Sequence, residues 1–508
     1  MLTLVWFKRD LRIADHEPLF EAARQGAVLP LYILEPDYWQ QPDTSLRQWQ
    51  FTKDAVQLLH QQLAALGQPL LVRRGPATRV LRELMREFPV GQIVSHQETG
   101  NLWTYQRDQA VARLCRELAL PWRQYRQHAV QRKLADRDQW FAQADAFLKR
   151  PTIPVPQSLP WLVDAPWHEA LWQTPQRREL ALCPPELCQH ASGLQPTLQS
   201  FWQSRSHCYQ RDISMAAKAS NSCSRLSPHL ALGQLSLRQL QQYTYVQMKQ
   251  TPDSRQQQAL AAFFSRLRWH CHFMQKLEDE PQIEFMPMNP LYQGMRDQFE
   301  PALFQAWQRG QTGYPFIDAA MRCLLATGWL HFRGRAMLVA FASYQLWLDW
   351  RPVALHLARC FTDYEPGIHY PQIQMQAGTT SINPNRMYNP LKQSLLKDPD
   401  GHFIRRWCPE LAHLPNEWLH QPWLLSQTLQ RQFGLRLGLD YPAPVVELQQ
   451  ATRLARSRLG EWHARFDKQQ WQQGREEVRE RHASRKRPAP VSMLGKRGAV
   501  AAQLALDL

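Results

Sequence analysis

TDYEPGIHYPQIQMQAGTT, at residues 362–380, belongs to the part of this 508-residue chain that says most about its fold. The same character extends outward through WLDWR (347–351) and GWLHFRGRAM (328–337) to TGYPFIDAAMR (312–322), and forward to DGHFIRRW (400–407). Aromatic, buried-looking helical stretches alternate in this run with isolated Arg, Asp, Glu and His. That mixture indicates a helical domain with a polar pocket inside it.

The first 130 residues have a different pattern, in which short apolar runs alternate with amphipathic stretches. Residues 46–66, 77–88 and 104–118 have helical periodicity. The runs between them are typical of buried parallel strands: LTLVWF, VLPLYIL, PLLVRR, GQIVSH and PWRQYR. Strand–helix alternation predicts a Rossmann-like α/β domain, a parallel five-stranded sheet with helices on both faces, although no GxGxxG follows the first strand.

The rest of the chain divides into three predicted segments. Residues 131–195 are Pro-rich and irregular, which predicts a connector that lies over the surface. Residues 196–473 are rich in Leu, Ala, Gln and Arg with few β-branched runs, which predicts an all-α domain. Residues 474–508 mix charge with Ala, Pro and Gly, which predicts a disordered basic tail.

The composition favours a soluble protein that binds a polyanion. Lys and Arg number 60 against 44 Asp and Glu, and the net charge of +16 suits nucleic acid; a solvated basic surface is the alternative. Twenty Trp residues favour stacking surfaces or cofactor packing. Nine cysteines without a CxxC pair predict reduced thiols and no metal; a zinc or iron–sulfur site at Cys183 and Cys188 is the less favoured alternative. Without a membrane-length apolar run or a signal peptide, we expect a cytoplasmic location.

These features together resemble the photolyase/cryptochrome family over about residues 1–466. WFKRDLR (residues 6–12) is similar to the family's opening strand and turn, and the α/β domain, long connector and helical flavin domain follow in the family's order. The resemblance implies FAD as the cofactor, UV-damaged DNA as the partner and a divergent bacterial member of the family. We expect a monomer.

The resemblance also implies a set of cofactor-binding residues. SCSRLSPHLALGQLS (residues 222–236) is similar to the family's phosphate loop, in which hydroxyls and backbone N–H groups hold the flavin's diphosphate. Arg335 and Asp363 match the pair beside the isoalloxazine ring, where Arg stabilises a reduced, anionic ring. The full predicted set is Tyr209, Cys223, Ser224, Arg225, Leu226, Ser227, Arg335, Asp363, Tyr364, Glu365 and His369.

Two departures concern the flavin's redox chemistry. His369 falls where the family places the residue facing flavin N5, usually Asn in photolyases; a His there can donate a hydrogen bond or a proton. The family's three-Trp electron path matches only at its middle member, Trp350, because Ile373 takes the ring-proximal position and Asp297 the outer one. A rerouted path and plain aromatic packing are both open for the remaining rings, which are Trp307, Trp347, Tyr344 and Tyr370.

The lesion pocket also departs from the family pattern. The predicted DNA-contacting residues are Arg266, Trp269, Phe332, Arg333 and Met375. Trp269 can stack on a flipped pyrimidine pair, but Arg266 replaces an acidic residue and Met375 replaces an aromatic wall. Phe332 and Ala336 stand where (6-4) photolyases have paired catalytic histidines, which argues against (6-4) repair.

Two further segments suggest ligands. HQETGNLWTYQRD (residues 96–108) lies where some relatives contact a folate, but the matching acid is absent, so folate, deazaflavin, lumazine and no antenna chromophore all stay open. The chain ends in QLALDL, from Gln503 to Leu508, which resembles the peptide by which bacterial repair proteins bind the sliding clamp. The alternative is the chance end of a disordered tail.

The leading hypothesis is light-driven repair of UV-induced pyrimidine dimers by electron transfer from excited reduced FAD, with a cyclobutane dimer as the favoured lesion. The opposing hypothesis is a cryptochrome-type blue-light photoreceptor without repair activity. Positive charge, Trp269, Arg333 and the tail favour repair, whereas Arg266, His369 and the interrupted Trp path favour a receptor or an atypical lesion. A flavin-bearing nucleic-acid binder without photochemistry is the third alternative.

Overall fold

The structure, a computed structural model, describes residues 2–175, 183–184, 186–382 and 386–483. An α/β domain comes first and a helical domain second, so the predicted fold class is confirmed. No helix within the described residues is long and apolar enough to cross a bilayer.

The first domain is built on a parallel sheet with the strand order β3-β2-β1-β4-β5. Its strands are β1 Leu2–Phe7, β2 Val28–Leu34, β3 Leu71–Arg74, β4 Val90–His96 and β5 Trp122–Tyr125. Its helices are α1 Glu17–Gln25, α2 Leu46–Ala65, α3 Ala77–Glu87 and α4 Leu102–Glu117. Every residue of β1 is buried because α1 and α2 pack on the face of Val5 and Phe7, and α3 and α4 pack on the face of Leu4 and Trp6.

Among its described residues, the predicted connector contains one complete α-helix, α5 Trp140–Leu148, and is otherwise largely irregular until α6 begins at Leu194. It runs along the sheet domain, and its Leu159 and Trp172 side chains are buried in that domain's core. The Leu159 N–H also donates a 2.7 Å hydrogen bond to the Leu66 carbonyl. The connector is therefore packed against the first domain along part of its length.

The second domain is helical from α6 onward, and a single π-helical turn, Phe341–Gln345, follows α14. Its helices are α6 Leu194–Gln203, α7 Tyr209–Asp212, α8 Ala216–Ser222, α9 Ser227–Ala231, α10 Leu237–Gln250, α11 Ser254–Asp279, α12 Pro301–Arg309, α13 Pro315–Thr327, α14 Phe332–Ala340, α15 Trp350–Cys360, α16 Pro366–Ala377, α17 Pro390–Lys397, α18 His402–Trp407, α19 Asn416–Leu419, α20 Gln427–Phe433, α21 Leu448–His463 and α22 Lys468–His482.

The two domains meet through a close backbone approach at Gly233. This residue has φ +65°, and a Cβ there would overlap the Arg9 carbonyl oxygen. The Gly233 carbonyl accepts a 2.9 Å hydrogen bond from Arg12, and the Leu11 N–H donates to the Leu232 carbonyl at 3.0 Å. Only glycine tolerates both this φ and this contact, so the turn after α9 fixes how the helical domain sits on β1.

The boundary predicted for a disordered tail at residue 474 is wrong. Helix α22 crosses that position and continues to His482. Val478 and His482 are buried, and His482 Nε2 lies 2.6 Å from Glu280 Oε2, next to the end of α11. Burial of these two side chains keeps the segment helical, although its polar composition alone favours disorder. The remaining tail, residues 484–508 with the clamp-like peptide, lies outside the described residues.

Candidate functional site

A cavity of about 350 Å³ lies in the helical domain and opens to the surface beside α11 and α14. All the predicted cofactor-binding residues line its wall except Leu226. Leu226 is fully buried in an apolar cluster with Leu230 and Phe263, so only its backbone can face a ligand. The structure thus brings together residues that lie more than 150 positions apart in the chain.

Two helices that pack against each other supply neighbouring parts of the cavity wall. Helix α11 contributes Phe263, Arg266, His270 and Phe273, whose spacing of three to four residues puts them on one helix face. Helix α16 contributes His369, Ile373 and Gln376 at the same kind of spacing. The helices approach closely because Gly367 has no side chain: a Cβ there would lie 2.8 Å from Met274 Cα.

Arg335 is held rigidly on the cavity wall. Its Nε donates to the Leu330 carbonyl at 2.7 Å, and its Nη2 donates to Asp363 Oδ2 at 2.7 Å. The guanidinium lies 4.0 Å from the centre of the Phe361 ring. These three contacts leave a positive charge with a fixed orientation beside the cavity, which suits an anionic ligand edge.

Several buried polar atoms on the wall have no partner within the protein. Asp363 Oδ1, Glu365 Oε1 and Gln376 Oε1 are acceptors of this kind, and His270 Nε2 is a fourth unpartnered atom. A buried polar atom without a hydrogen bond is costly, so such a group indicates a ligand that supplies the bond. FAD carries matching donors on its flavin ring, ribityl chain and adenine, and these residues therefore fit it.

The wall near the predicted phosphate loop is held by arginines. Arg205 donates to the carbonyls of Cys223 and Ser224, the latter at 3.2 Å, and so fixes the loop from behind. Arg225 has φ +61°, an uncommon conformation for a non-glycine residue, and its guanidinium lies 4.0 Å from the centre of the Trp329 ring. Burial lowers the pKa of Arg225 to about 10, so it stays charged at neutral pH. The loop thus presents a cation and two hydroxyl side chains to the cavity.

His369 is neutral and has a defined tautomer. Its Nε2 lies 2.9 Å from the Ala354 carbonyl oxygen, which can only accept, so Nε2 carries the proton. Burial lowers the pKa of His369 to about 4, which disfavours a second proton on Nδ1 at neutral pH. Nδ1 is therefore an acceptor, and the prediction that this side chain donates a hydrogen bond or a proton into the cavity does not fit the geometry.

Glu365 links the cavity to the first domain. Its Oε2 accepts from Arg9 Nη2 at 3.1 Å, and the same Arg9 nitrogen donates to the Tyr364 carbonyl at 2.9 Å. Burial raises the pKa of Glu365 to about 7, although the charge of Arg9 opposes that shift. The longer side chain, compared with Asp, therefore reaches across to β1 as well as lining the cavity.

The predicted electron-transfer tryptophans lie away from the cavity. Within the described part of the chain, the cavity wall includes Ile373 but neither Trp350 nor Trp307. Both tryptophans belong to the main apolar core of the helical domain. Trp307 is fully buried, stacks on Phe304 at a centroid distance of 5.9 Å and donates from Nε1 to the Leu338 carbonyl at 3.1 Å. These contacts are those of core packing.

The predicted DNA-contacting residues divide into two groups. Arg266, Trp269 and Phe332 line the cavity. Arg333 and Met375 are half-buried and do not line it, so their contact with DNA stays a prediction. The Arg333 guanidinium lies 5.3 Å from the centre of the Tyr388 ring. A helical turn separates side chains that the sequence places close together, so adjacency in the chain did not settle which ones face the cavity.

Sequence reasoning did not single out several polar or aromatic wall residues, among them Trp329, His270 and Gln376. Trp329 forms the face on which Arg225 stacks. Helical spacing was an available signal for the other two, because His270 lies four residues after Arg266 and Gln376 lies seven after His369. No local signal marks Trp329, since its role depends on the distant Arg225.

A second, smaller cavity lies at the carboxyl edge of the sheet, where an antenna chromophore was predicted. It encloses about 70 Å³ and is lined by Trp6, Tyr38, Trp39 and Tyr364, among others. Arg107 closes one side, with its guanidinium 5.0 Å from the Trp6 ring centre and 3.0 Å from Glu35 Oε2. The presence and the identity of an antenna chromophore therefore stay open.

Asp10, His16 and His96 bring three potential metal-ligating atoms within 4.8 Å of one another beneath this edge. These potential ligand atoms already take part in hydrogen bonds within the protein. His16 Nδ1 accepts from the Leu19 N–H at 3.1 Å, so its Nε2 carries the proton and donates to Asp10 Oδ2 at 2.9 Å. His96 Nδ1 lies 2.8 Å from the same oxygen. The cluster is a buried hydrogen-bond network that joins β1, α1 and β4.

Comparisons with known proteins agree with this geometry. Residues 3–133 match the family model described as DNA photolyase, and residues 263–461 match the model described as FAD binding domain of DNA photolyase. The chain is 31% identical over 480 residues to the cryptochrome DASH of Gloeobacter violaceus, an alignment that covers 88% of this chain and 93% of the relative. The chain belongs to the photolyase/cryptochrome family. The prediction of FAD as its cofactor is confirmed.

Relatives within the photolyase/cryptochrome family have names of both kinds. The chain is 30% identical to the deoxyribodipyrimidine photo-lyase of Streptomyces griseus, over 90% of this chain and 99% of the relative. Its fold matches the crystal structure of a class III photolyase from Agrobacterium tumefaciens with a TM-score of 0.81 at 25% identity, covering 91% and 98% of the two chains. Family membership therefore leaves repair and photoreception to be distinguished by the site.

Proposed function

We propose that this protein repairs UV-induced pyrimidine dimers in DNA with light absorbed by reduced FAD, with a cyclobutane dimer as the favoured lesion. The mouth of the flavin cavity carries this proposal. Trp269 and Phe332 line the cavity, yet 46% and 40% of their surfaces are exposed. Large exposed aromatic side chains at the mouth of a cavity suit stacking on bases that are flipped out of a helix.

The charge of the mouth supports the same partner. The Arg266 guanidinium lies 5.2 Å from the Trp269 ring centre and 5.9 Å from that of Phe332. An Arg held against two aromatic faces can bind a phosphate or a pyrimidine carbonyl while the rings stack on the bases. The net charge of +16 adds non-specific attraction for DNA.

On this proposal, the residues of the cavity wall would hold FAD. Arg335 places a positive charge beside the ring, Asp363 keeps that Arg in position, and Glu365 and Gln376 accept hydrogen bonds from the cofactor. Bound reduced FAD supplies the light-driven electron that splits the dimer. The apolar side chains Ile373 and Phe361 limit the access of water to the ring.

The second candidate function is a blue-light photoreceptor without repair activity. The observation that favours it is also at the mouth, where Arg266 stands in place of the acidic residue that helps to hold cyclobutane dimers in repairing relatives. The name cryptochrome DASH on several relatives adds support for this candidate. In that case light would change the binding of a partner rather than the covalent structure of DNA.

Illumination of the chemically reduced protein with defined oligonucleotides separates the two candidates. The substrates carry either a cyclobutane dimer or a (6-4) lesion, in single- or double-stranded DNA, and restored pyrimidines are measured by chromatography. We expect restoration of the cyclobutane dimer only. Failure to restore either lesion on any of the four substrates would reject repair and leave the photoreceptor.

A variant pair tests whether the mouth carries the activity. Trp269→Ala should weaken binding of dimer-containing DNA, because base–aromatic stacking contributes about 1–3 kcal/mol per base. Trp161→Ala is the matched control, since Trp161 is 65% exposed on the connector and is not on the cavity wall. Equal binding by the two variants would contradict the role of the mouth.

The remaining partner predictions stay as proposals. A contact with the bacterial sliding clamp through residues Gln503 to Leu508 fits a repair protein, but this peptide lies outside the described residues. A monomer in the cytoplasm is consistent with the same proposed role.

A further inference from the structure

The first domain and the connector packed against it contain a series of aromatic rings that leads from the flavin cavity towards the surface. Tyr364 lines the flavin cavity and also the small cavity at the carboxyl edge of the sheet, so one side chain borders both. Tyr38 and Trp39 line the same small cavity from the opposite domain. The gap between Tyr364 and these rings is thus one cavity of about 70 Å³.

Beyond this gap the rings follow one another in direct contact. The centroid distances are 5.0 Å between Trp39 and Trp49, 5.3 Å between Trp49 and Trp172, and 5.5 Å between Trp172 and Trp167. Trp39, Trp49 and Trp172 are buried, whereas Trp167 is partly exposed and donates from Nε1 to Glu169 Oε2 at 3.2 Å on the surface. We call Trp39, Trp49, Trp172 and Trp167 the tryptophan series.

Tyr364 also has a partner that can take its proton. Its Oη donates to Asp43 Oδ2 at 2.6 Å, and Asp43 is almost fully buried. The same carboxylate oxygen accepts from Asn101 Nδ2 at 3.0 Å, which fixes its position. A phenol loses an electron far more readily when a base accepts its proton at the same time, so this pair is suited to one-electron oxidation.

In the helical domain, the family's usual ring path is interrupted at the cavity. Ile373 occupies the cavity wall where the family's first tryptophan is expected. Tyr344 and Trp347 lie against the Arg296 guanidinium, at 5.4 and 4.8 Å from their ring centres. A nearby positive charge disfavours the loss of an electron from an aromatic ring, so these two side chains are poor relay members.

We propose that Tyr364 and the tryptophan series form the electron path by which light reduces the flavin in this protein. Excited FAD takes one electron from Tyr364, whose O–H bond breaks as its proton passes to Asp43. An electron from Trp39 then restores Tyr364, and the proton returns from Asp43. Trp49, Trp172 and Trp167 each pass one electron inward in turn, so the oxidised site shifts outward to Trp167, where a thiol reductant in solution supplies an electron and is itself oxidised. The net result is transfer of one electron from the thiol to the flavin.

Photoreduction of the FAD-loaded protein by blue light in the presence of dithiothreitol tests this path. Trp49→Phe should lose most of the photoreduction, because it interrupts the series in its middle, and should shorten the lifetime of the transient radical signals. Tyr364→Phe should lose the tyrosyl signal in time-resolved absorption as well as photoreduction. Trp140→Phe is the matched control, since it is also a buried Trp but belongs to a separate apolar cluster.

The outcomes are distinguishable from a defect in folding or in repair. FAD content and thermal unfolding of each variant report on folding, and Trp172→Phe replaces Trp49→Phe if the latter does not fold. Because chemical reduction supplies the electron that the path would supply, repair by chemically reduced protein tests the proposed function separately. Normal photoreduction in either Trp49→Phe or Tyr364→Phe overturns the proposal, as does its loss in Trp350→Phe with Trp49→Phe unaffected.

Discussion

At the scale of the residue, Asp363 has a strong partner on only one of its two carboxylate oxygens. Oδ2 accepts from Arg335, while Oδ1 is buried on the cavity wall without a partner in the protein. The carboxylate can therefore hold Arg335 and still accept a hydrogen bond from the cofactor. The resemblance of the sequence to the family identifies Asp363 as a cofactor-binding residue, but only the structure shows that its Oδ1 lacks a partner.

Asp363→Asn should weaken FAD binding. The substitution keeps the size of the side chain but removes the charge-assisted bond to Arg335, which is worth about 1.5–3 kcal/mol, so the dissociation constant should rise roughly ten- to hundredfold. Titration of the apoprotein with FAD, followed by flavin fluorescence, measures the change. Asp400→Asn, at an exposed position, is the control. Equal affinities of the two variants would mean that the Arg335–Asp363 pair has no part in holding the cofactor.

At the scale of the element, the width of the flavin cavity depends on the packing of α11 against α16. Gly367 stands where the two helix backbones are closest, and Met274 Cα occupies the space that a Cβ would need. Larger residues at this position would force these two helices apart. A glycine in a helix is otherwise unfavourable, so its place here has a structural reason.

Gly367→Ala should lower both stability and FAD binding. A Cβ only 2.8 Å from Met274 Cα must displace one helix, and overpacking of this kind costs about 1–3 kcal/mol. Gly460→Ala in α21 is a sharp control, because a Cβ there meets no atom within 4 Å and should stabilise the helix by about 0.5–1 kcal/mol. Urea unfolding of both variants measures the difference. If Gly367→Ala stabilised the protein instead, the close packing of α11 against α16 would not require glycine at this position.

At the scale of the whole molecule, buried neutral histidines occur in both domains. Burial lowers the pKa of His96, His331 and His356 to about 3, and that of His229, His270 and His369 to about 4. These side chains fill space in cores and interfaces as uncharged rings. Because these rings are buried away from solvent, the folded protein disfavours their protonated form.

The protein should therefore lose stability in mild acid. Above the ordinary histidine pKa of about 6.5, both the folded and the unfolded chain keep these rings neutral, so they add no pH dependence. Below it the unfolded chain binds protons that the folded chain cannot, and each such histidine lowers the free energy of unfolding by about 1.4 kcal/mol per pH unit until its folded pKa is reached. Thermal unfolding between about pH 7 and pH 5 measures the slope.

A histidine variant separates this effect from the titration of carboxylates. His356 is buried away from the flavin cavity, and its Nδ1 accepts from Gln308 Nε2 at 3.0 Å. His356→Gln should make the loss of stability with falling pH shallower, whereas His207→Gln, at an exposed position, should not. An unchanged slope in His356→Gln would contradict the expected role of the buried rings.

The sequence by itself determined the elements and the family. Uninterrupted apolar runs such as LTLVWF predicted β1 and its neighbours within about two residues, since a strand covered on both faces must be apolar throughout. Arg335 and Asp363 were likewise identified from the sequence, because the segments that contain them resemble the flavin pocket of the photolyase/cryptochrome family. Both kinds of signal are local or are fixed by residue type.

Only the tertiary structure decided which side chains share a surface. It buried the side chain of Leu226 in an apolar cluster away from the cavity wall, placed Trp329 on that wall, and carried α22 past the predicted start of the tail. It also aligned Trp39, Trp49, Trp172 and Trp167, which are spread over 134 positions of the chain. Contacts between such distant residues depend on how whole helices and strands pack, and no periodicity within a single segment encodes them.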